Sequence, residues 1–125
     1  MRVRYNRDES FRYEFRPVLE GSFLIHTVNQ KEVQASNGKL SIINLSPKGI
    51  GIETQYDFPD PVNYTITLQI SCTIDEATLT FLGNILWKKT TSKGFGYGLE
   101  LLTDEASQKE IISQLKKHAL KQSST

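Results

Sequence analysis

Cysteine, histidine and long apolar runs are all scarce in this chain, and each scarcity removes a class of function. One cysteine, Cys72, excludes an internal disulfide and fits a reducing compartment. The two histidines, His26 and His118, are too few and too separated to suggest a metal site, so each is read as structural or solvated. No apolar stretch approaches the roughly 20 residues of a membrane span, and the N-terminus lacks the apolar run of a signal peptide. The expectation is a soluble cytoplasmic protein without membrane insertion. No G-x-S-x-G elbow, P-loop or H-E-x-x-H is present, so the chain reads as a non-enzyme with no catalytic residues, metal or cofactor. Gly94-Phe95-Gly96-Tyr97-Gly98 is glycine-rich but opens no helix, and close backbone packing in a sheet explains it better than nucleotide binding.

Arginine is missing from most of the sequence. All five arginines (Arg2, Arg4, Arg7, Arg12 and Arg16) lie in the first sixteen residues, against Asp8, Glu9 and Glu14, a local excess of +2. Residues 17–125 carry ten lysines against eleven carboxylates. A guanidinium forks onto phosphate or a guanine edge with two parallel bonds, whereas an ammonium is a point charge. Concentrating arginine in one segment points to recognition of something planar or phosphorylated, or to a solvated basic tail.

At 125 residues of ordinary globular composition, the chain is long enough for one domain with a modest core. Residues 1–16 show no apolar period and read as an arm that orders when something binds it. Pro17 closes the arm. Residues 18–28 turn β-like, residues 29–36 are a strand extension or a loop, and Asn37-Gly38 is a hairpin signal. Residues 39–45 form a short apolar strand, 44–49 a polar turn containing Pro47 and Gly49, and Ile50 and Ile52 begin the next strand.

After a Pro- and Asp-rich loop, Tyr64, Ile66, Leu68, Ile70 and Cys72 alternate with polar residues, which makes Cys72 a small core hydrophobe. Leu79, Phe81, Gly83, Ile85 and Trp87 alternate next, with Gly83 as a candidate bend or bulge. Trp87, last of that series, reads as core, with an edge of a site as the lesser alternative. Phe95, Tyr97, Leu99 and Leu101 form the closing strand. The period then changes. Thr103 is placed as a helix cap, and Ile111, Ile112, Leu115 and Ala119 make one apolar stripe, with Gln108 a possible member. Successive strands at hairpin spacing followed by one helix predict an all-β fold, an antiparallel barrel of six or seven strands with a C-terminal helix. The expected division is an arm over 1–16, a barrel over 17–103, and the helix over 104–121.

Two short motifs stand out on this framework. Arg12-Tyr13-Glu14-Phe15-Arg16 is an R-x-x-x-R, and Asn44-Leu45-Ser46-Pro47-Lys48-Gly49 is a D/N-x-S-x-x-G. The second pattern arises by chance in about one chain in twenty of this size, so neither is specific alone. Together, in this order and with a strand between them, they resemble the PilZ domain family of bacterial cyclic di-GMP receptors. Gly83-Asn84-Ile85-Leu86-Trp87 is similar to the family's G-x-V-V-W strand, and Tyr97-Gly98-Leu99-Glu100-Leu101 to its closing Y-G-hydrophobic strand. The resemblance extends over residues 11–117 and implies a stand-alone member.

It also implies the ligand, cyclic di-GMP, and the ligand-binding set Arg12, Arg16, Asn44, Ser46 and Gly49. The arginines would fold over the ligand and clamp it against the 44–49 turn. Asn44 would offer a donor and an acceptor, Ser46 a hydroxyl, and Gly49 an approachable backbone. Asn44 stands where aspartate is commoner. Phe11 stands where many members carry an arginine or polar residue, a position that in the family bears on whether one ligand or a stacked pair binds. An effector protein is the implied partner, and motility, exopolysaccharide production and adhesion are what the family commonly regulates. Two rivals remain open: a PilZ-fold adaptor that binds proteins without ligand, and a nucleic-acid-binding module using the arginine arm. The acidic balance of residues 17–125 opposes the latter, so no nucleic-acid partner is expected.

Overall fold

The structure, a computed structural model, describes residues 12–33 and 36–123. Arg2, Arg4, Arg7 and Phe11 lie outside the described residues. Seven strands and a helix follow one another: β1 (Tyr13–Val28), β2 (Lys31–Glu32), β3 (Asn37–Ser46), β4 (Gly49–Thr54), β5 (Ile66–Ile74), β6 (Ala77–Thr91), β7 (Gly94–Leu101) and α1 (Glu105–Ser123). All pairings are antiparallel. The order β1-β3-β4-β7-β6-β5 returns to β1, so six strands close into a barrel and β2 lies outside it, paired to the end of β1. Closure removes the exposed edges that an open sheet of this size would leave.

The expected barrel is present, and period-two alternation fills it. Ile50 and Ile52 of β4, Leu68, Ile70 and Cys72 of β5, Leu79, Phe81 and Ile85 of β6, and Tyr97, Leu99 and Leu101 of β7 are all buried. Burial pushes the Cys72 thiol up to about 11, as suits a core side chain rather than a nucleophile. Ile111 and Leu115 of α1 are buried with the barrel residues, and the Gln114 side-chain amide donates to the Ile74 carbonyl at 3.4 Å. Helix α1 therefore packs its apolar stripe against the barrel wall. No polar side-chain atom buried among the described residues lacks a hydrogen-bond partner.

Several local expectations are corrected. The four residues Tyr13, Glu14, Phe15 and Arg16 open β1 rather than belonging to an arm, with Phe15 buried in the core. The first hairpin turns at Asn29-Gln30, both at positive φ (51° and 66°), and not at Asn37-Gly38. Asn37 and Gly38 are strand residues whose cross-strand partners are Leu24 and Phe23. Gly38 is required there because a β-carbon would stand 2.6 Å from the Phe23 ring. Gly83 is regularly paired with Leu68 and Leu101 and makes no bulge. The helix cap is Asp104 and not Thr103. The Asp104 carboxylate accepts the Ser107 N–H at 2.8 Å, and that bond holds its carboxyl below the usual carboxylate range.

The Gly38 contact makes a direct prediction. Gly38→Ala should destabilise the protein by about 1–3 kcal/mol, the usual range for an overpacked site. Urea unfolding should show a lower midpoint, and an unchanged midpoint would show that the Phe23 ring has room to move.

Candidate functional site: a basin on the outer face of the barrel

Two one-residue bulges decide which side chains face outward here. In the β3–β4 ladder Ile42 pairs with Ile52 and Asn44 with Gly51, so Ile43 is an extra residue in β3. In the β6–β7 ladder Ile85 pairs with Leu99 and Trp87 with Gly98, so Leu86 is an extra residue in β6. Strict alternation would send Asn44 inward with Leu40 and Ile42, and Trp87 inward with Ile85. Each bulge reverses the sense, as an inserted residue must. Trp87 is thus not in the core but 47% exposed, and Leu86 is 60% exposed.

The result is one continuous cross-strand row on the outer face: Glu14 beside Asn44, Asn44 beside Gly51, Gly51 beside Gly98, and Gly98 beside Trp87. The two central glycines leave room that the flanking side chains occupy. A β-carbon on Gly51 would stand 2.9 Å from Asn44 Nδ2, and one on Gly98 only 2.0 Å from Trp87 Nε1. Asn44 and Trp87 therefore fold down over the sheet from opposite sides. Around them lies a basin of about 860 Å³, lined also by Arg12, Lys48, Gly49, Glu53, Lys89 and Glu100. That volume is within the usual size of a small-molecule site.

Arg12 closes the upper side. Its Nη1 donates to Asn44 Oδ1, and its Nη2 stands 3.2 Å from where a Gly49 β-carbon would be. A β-carbon at Gly49 would thus crowd the guanidinium where it comes down onto the motif. The turn below is a two-residue hairpin, Pro47-Lys48, between the paired Ser46 and Gly49. Ser46 is fully buried, and its hydroxyl donates to the Gly49 carbonyl at 3.2 Å. Its place is inside the turn, and it does not line the basin. The turn is anchored from below: the Thr103 hydroxyl donates to the Pro47 carbonyl at 2.8 Å, and the Leu101 N–H to the Lys48 carbonyl at 2.9 Å.

Of the five residues expected at the site, Arg12, Asn44 and Gly49 meet at the basin, and Ser46 shapes its rim. Arg16 does not join them. It points to Glu14, with Nη2 2.5 Å and Nε 3.2 Å from Oε1, and its side chain is 81% exposed. Sequence reasoning reads Trp87 as core first and as the edge of a site only second, because a bulge leaves no mark on period-two counting, and it does not single out Gly51, Gly98 or Glu100 for the basin. The Gly98–Trp87 pairing is a relation between strands and was equally out of reach.

Comparison with protein families matches the PilZ domain over residues 4–117. The chain belongs to the PilZ domain family. This is a family of non-catalytic cyclic di-GMP-binding and adaptor domains, and the closed barrel with one C-terminal helix agrees with the resemblance. No curated protein and no solved structure matched the chain. Among the described residues of this PilZ domain no helix is long and apolar enough to cross a membrane, and no group of His, Cys, Asp or Glu could hold a metal ion.

Trp87 is the single tryptophan of the chain, so its emission reports on the basin directly. Gly98→Ala should lift the indole off the sheet, shifting the emission while the far-UV circular dichroism stays that of the parent. Unchanged emission would mean that the indole does not depend on Gly98 for its seat.

Proposed function

We propose that this PilZ domain is a receptor for cyclic di-GMP and passes the binding event to a protein partner, acting in the cytoplasm and doing no chemistry. The observation that carries this reading is the meeting of Arg12, Asn44 and Gly49 at the mouth of a basin of about 860 Å³ that Trp87 walls on the far side. A cyclic dinucleotide has anionic phosphates for a guanidinium and planar bases for an aromatic ring. Arg12 is the placed half of the clamp. It offers a fork to a phosphate or to guanine O6 and N7, and Asn44 offers an amide once Arg12 turns to the ligand. Arg16 is the half that must travel, exchanging Glu14 for the ligand. Ser46 contributes by holding the turn.

A path toward a partner runs through the start of β1 itself. Tyr13 and Phe15, next to Arg12, pack on His118 of α1 with ring centroids 5.3 and 5.6 Å apart, and His118 Nδ1 is 3.1 Å from Asp75 Oδ1. Movement of Arg12 and Arg16 is thereby felt by the helix, whose outward face is available to an effector protein. The rival reading, an adaptor that works without ligand, is favoured by one observation: Arg16 is engaged by Glu14 outside the basin.

Titration calorimetry separates the two. Micromolar binding of cyclic di-GMP is expected, and no heat with excess ligand would leave the adaptor reading standing. Arg12→Ala and Arg16→Ala should each weaken binding about tenfold or more, since a charge-assisted bond contributes about 1.5–3 kcal/mol. Parent-like affinity in both would show that the arginines do not clamp. Glu14→Ala frees Arg16 from its competitor and should tighten binding several-fold. Weaker binding in that variant would instead make Glu14 a support of the site.

A further inference from the structure

The basin holds a charge that a phosphate site does not need. Glu53 and Glu100 both line it, alongside Arg12, Lys48 and Lys89, and neither carboxylate has a hydrogen-bond or ion-pair partner among the described residues. A carboxylate beside a phosphate-bearing ligand is repulsive unless it accepts hydrogen bonds from another part of that ligand. Asn44 is neutral and its side-chain oxygen is taken by Arg12, so the turn motif itself offers no carboxylate.

Strand register distinguishes the two acids. Along the outer faces of β4 and β7 the pairs run Gly49–Glu100, Gly51–Gly98, then Glu53–Gly96. Glu100 is on the side of the motif glycine where Arg12 sits. Glu53 is on the far side of the Gly51–Gly98 row, and its row ends on Lys89. Glu100 also lies two residues along β7 from Gly98, the seat of Trp87, which is about 7 Å, a distance a glutamate side chain can span. A ligand that touches Arg12 and the motif while laying a base against Trp87 reaches Glu100 without reaching Glu53.

We propose that Glu100 is the specificity-determining residue of this basin, reading the N1–H and N2 amino edge of a guanine held against Trp87. This rests on the cyclic dinucleotide reading above and adds which base is chosen and by what group. A carboxylate only accepts, and that guanine edge only donates; adenine presents an acceptor at N1 beside its amino group. Glu100 therefore selects guanine and repels adenine. Glu100→Gln supplies one donor and one acceptor, which suits adenine better and guanine worse.

The test titrates the full chain and its Glu100→Gln and Glu53→Gln variants with cyclic di-GMP and with cyclic di-AMP. Circular dichroism serves as the check on folding, since both positions are on the barrel's outer face. The parent is expected to prefer cyclic di-GMP. Glu100→Gln should weaken cyclic di-GMP about tenfold or more and strengthen cyclic di-AMP, while Glu53→Gln keeps the parental ratio. A parental ratio in Glu100→Gln, loss of selectivity in Glu53→Gln instead, or a parent that binds both nucleotides equally overturns the role of Glu100 and leaves the receptor reading intact. A parent that binds neither nucleotide overturns the receptor reading, and the role of Glu100 falls with it.

Discussion

Side chains alternate across a strand with a period of two, so a single inserted residue moves everything beyond it to the opposite face. Ile43 in β3 and Leu86 in β6 are such insertions, and the site depends on both. Without the first, Asn44 would compete with Leu45 for the core. Without the second, Trp87 would follow Ile85 inward. With both, an amide and an indole emerge on the same outer row, four strands of continuous register holding them at a fixed spacing. Leu45 and Ile85 stay buried on either side of these reversals, so the core keeps the strands in place while the bulges aim the site residues.

The glycines between them follow from the same constraint. An outward row that carried β-carbons at positions 51 and 98 would leave no room for Asn44 and Trp87 to fold down onto the sheet. Phe23 and Gly38 form the same kind of pair, an aromatic ring covering the glycine opposite it. There the ring fills the core, and at Trp87 it makes a wall. One packing device thus fills the core in one place and walls the basin in another.

Around the basin, fixed and movable parts are distinct. The 47–48 turn is tied from below by Thr103 and by the Leu101 amide, so it shares the rigidity of β7 and of the start of α1. At the opposite end of the barrel, buried Tyr97 accepts the Phe58 N–H and donates to the Tyr56 carbonyl, both at 2.8 Å, pinning the long loop before β5. Burial raises the Tyr97 phenol above its ordinary range, in keeping with a hydroxyl that donates. Beside that tied turn, Arg12 donates to Asn44 and Arg16 to Glu14, polar contacts of the kind a phosphate-bearing ligand would exchange for its own.

Much of this was legible in the chain beforehand. Alternating Ile, Leu and Phe residues, one change of period near residue 104, and two short motifs determined an antiparallel barrel with a terminal helix and a family to which it belongs. Those properties depend on local order along the chain, which sequence displays. The first hairpin was misplaced because Asn29-Gln30 lacks the glycine of a standard signal, while Asn37-Gly38, which has it, uses Gly38 to make way for Phe23. Trp87 reads as core first, and as the edge of a site only second, because bulges arise from the pairing of two strands and not from either one. The sequence by itself determined which residues could form a core and which motifs were available. Only the tertiary structure decided that Arg12 meets Asn44 while Arg16 stays with Glu14, and that Glu100 and Trp87 face the same basin, because cross-strand register sets those neighbours.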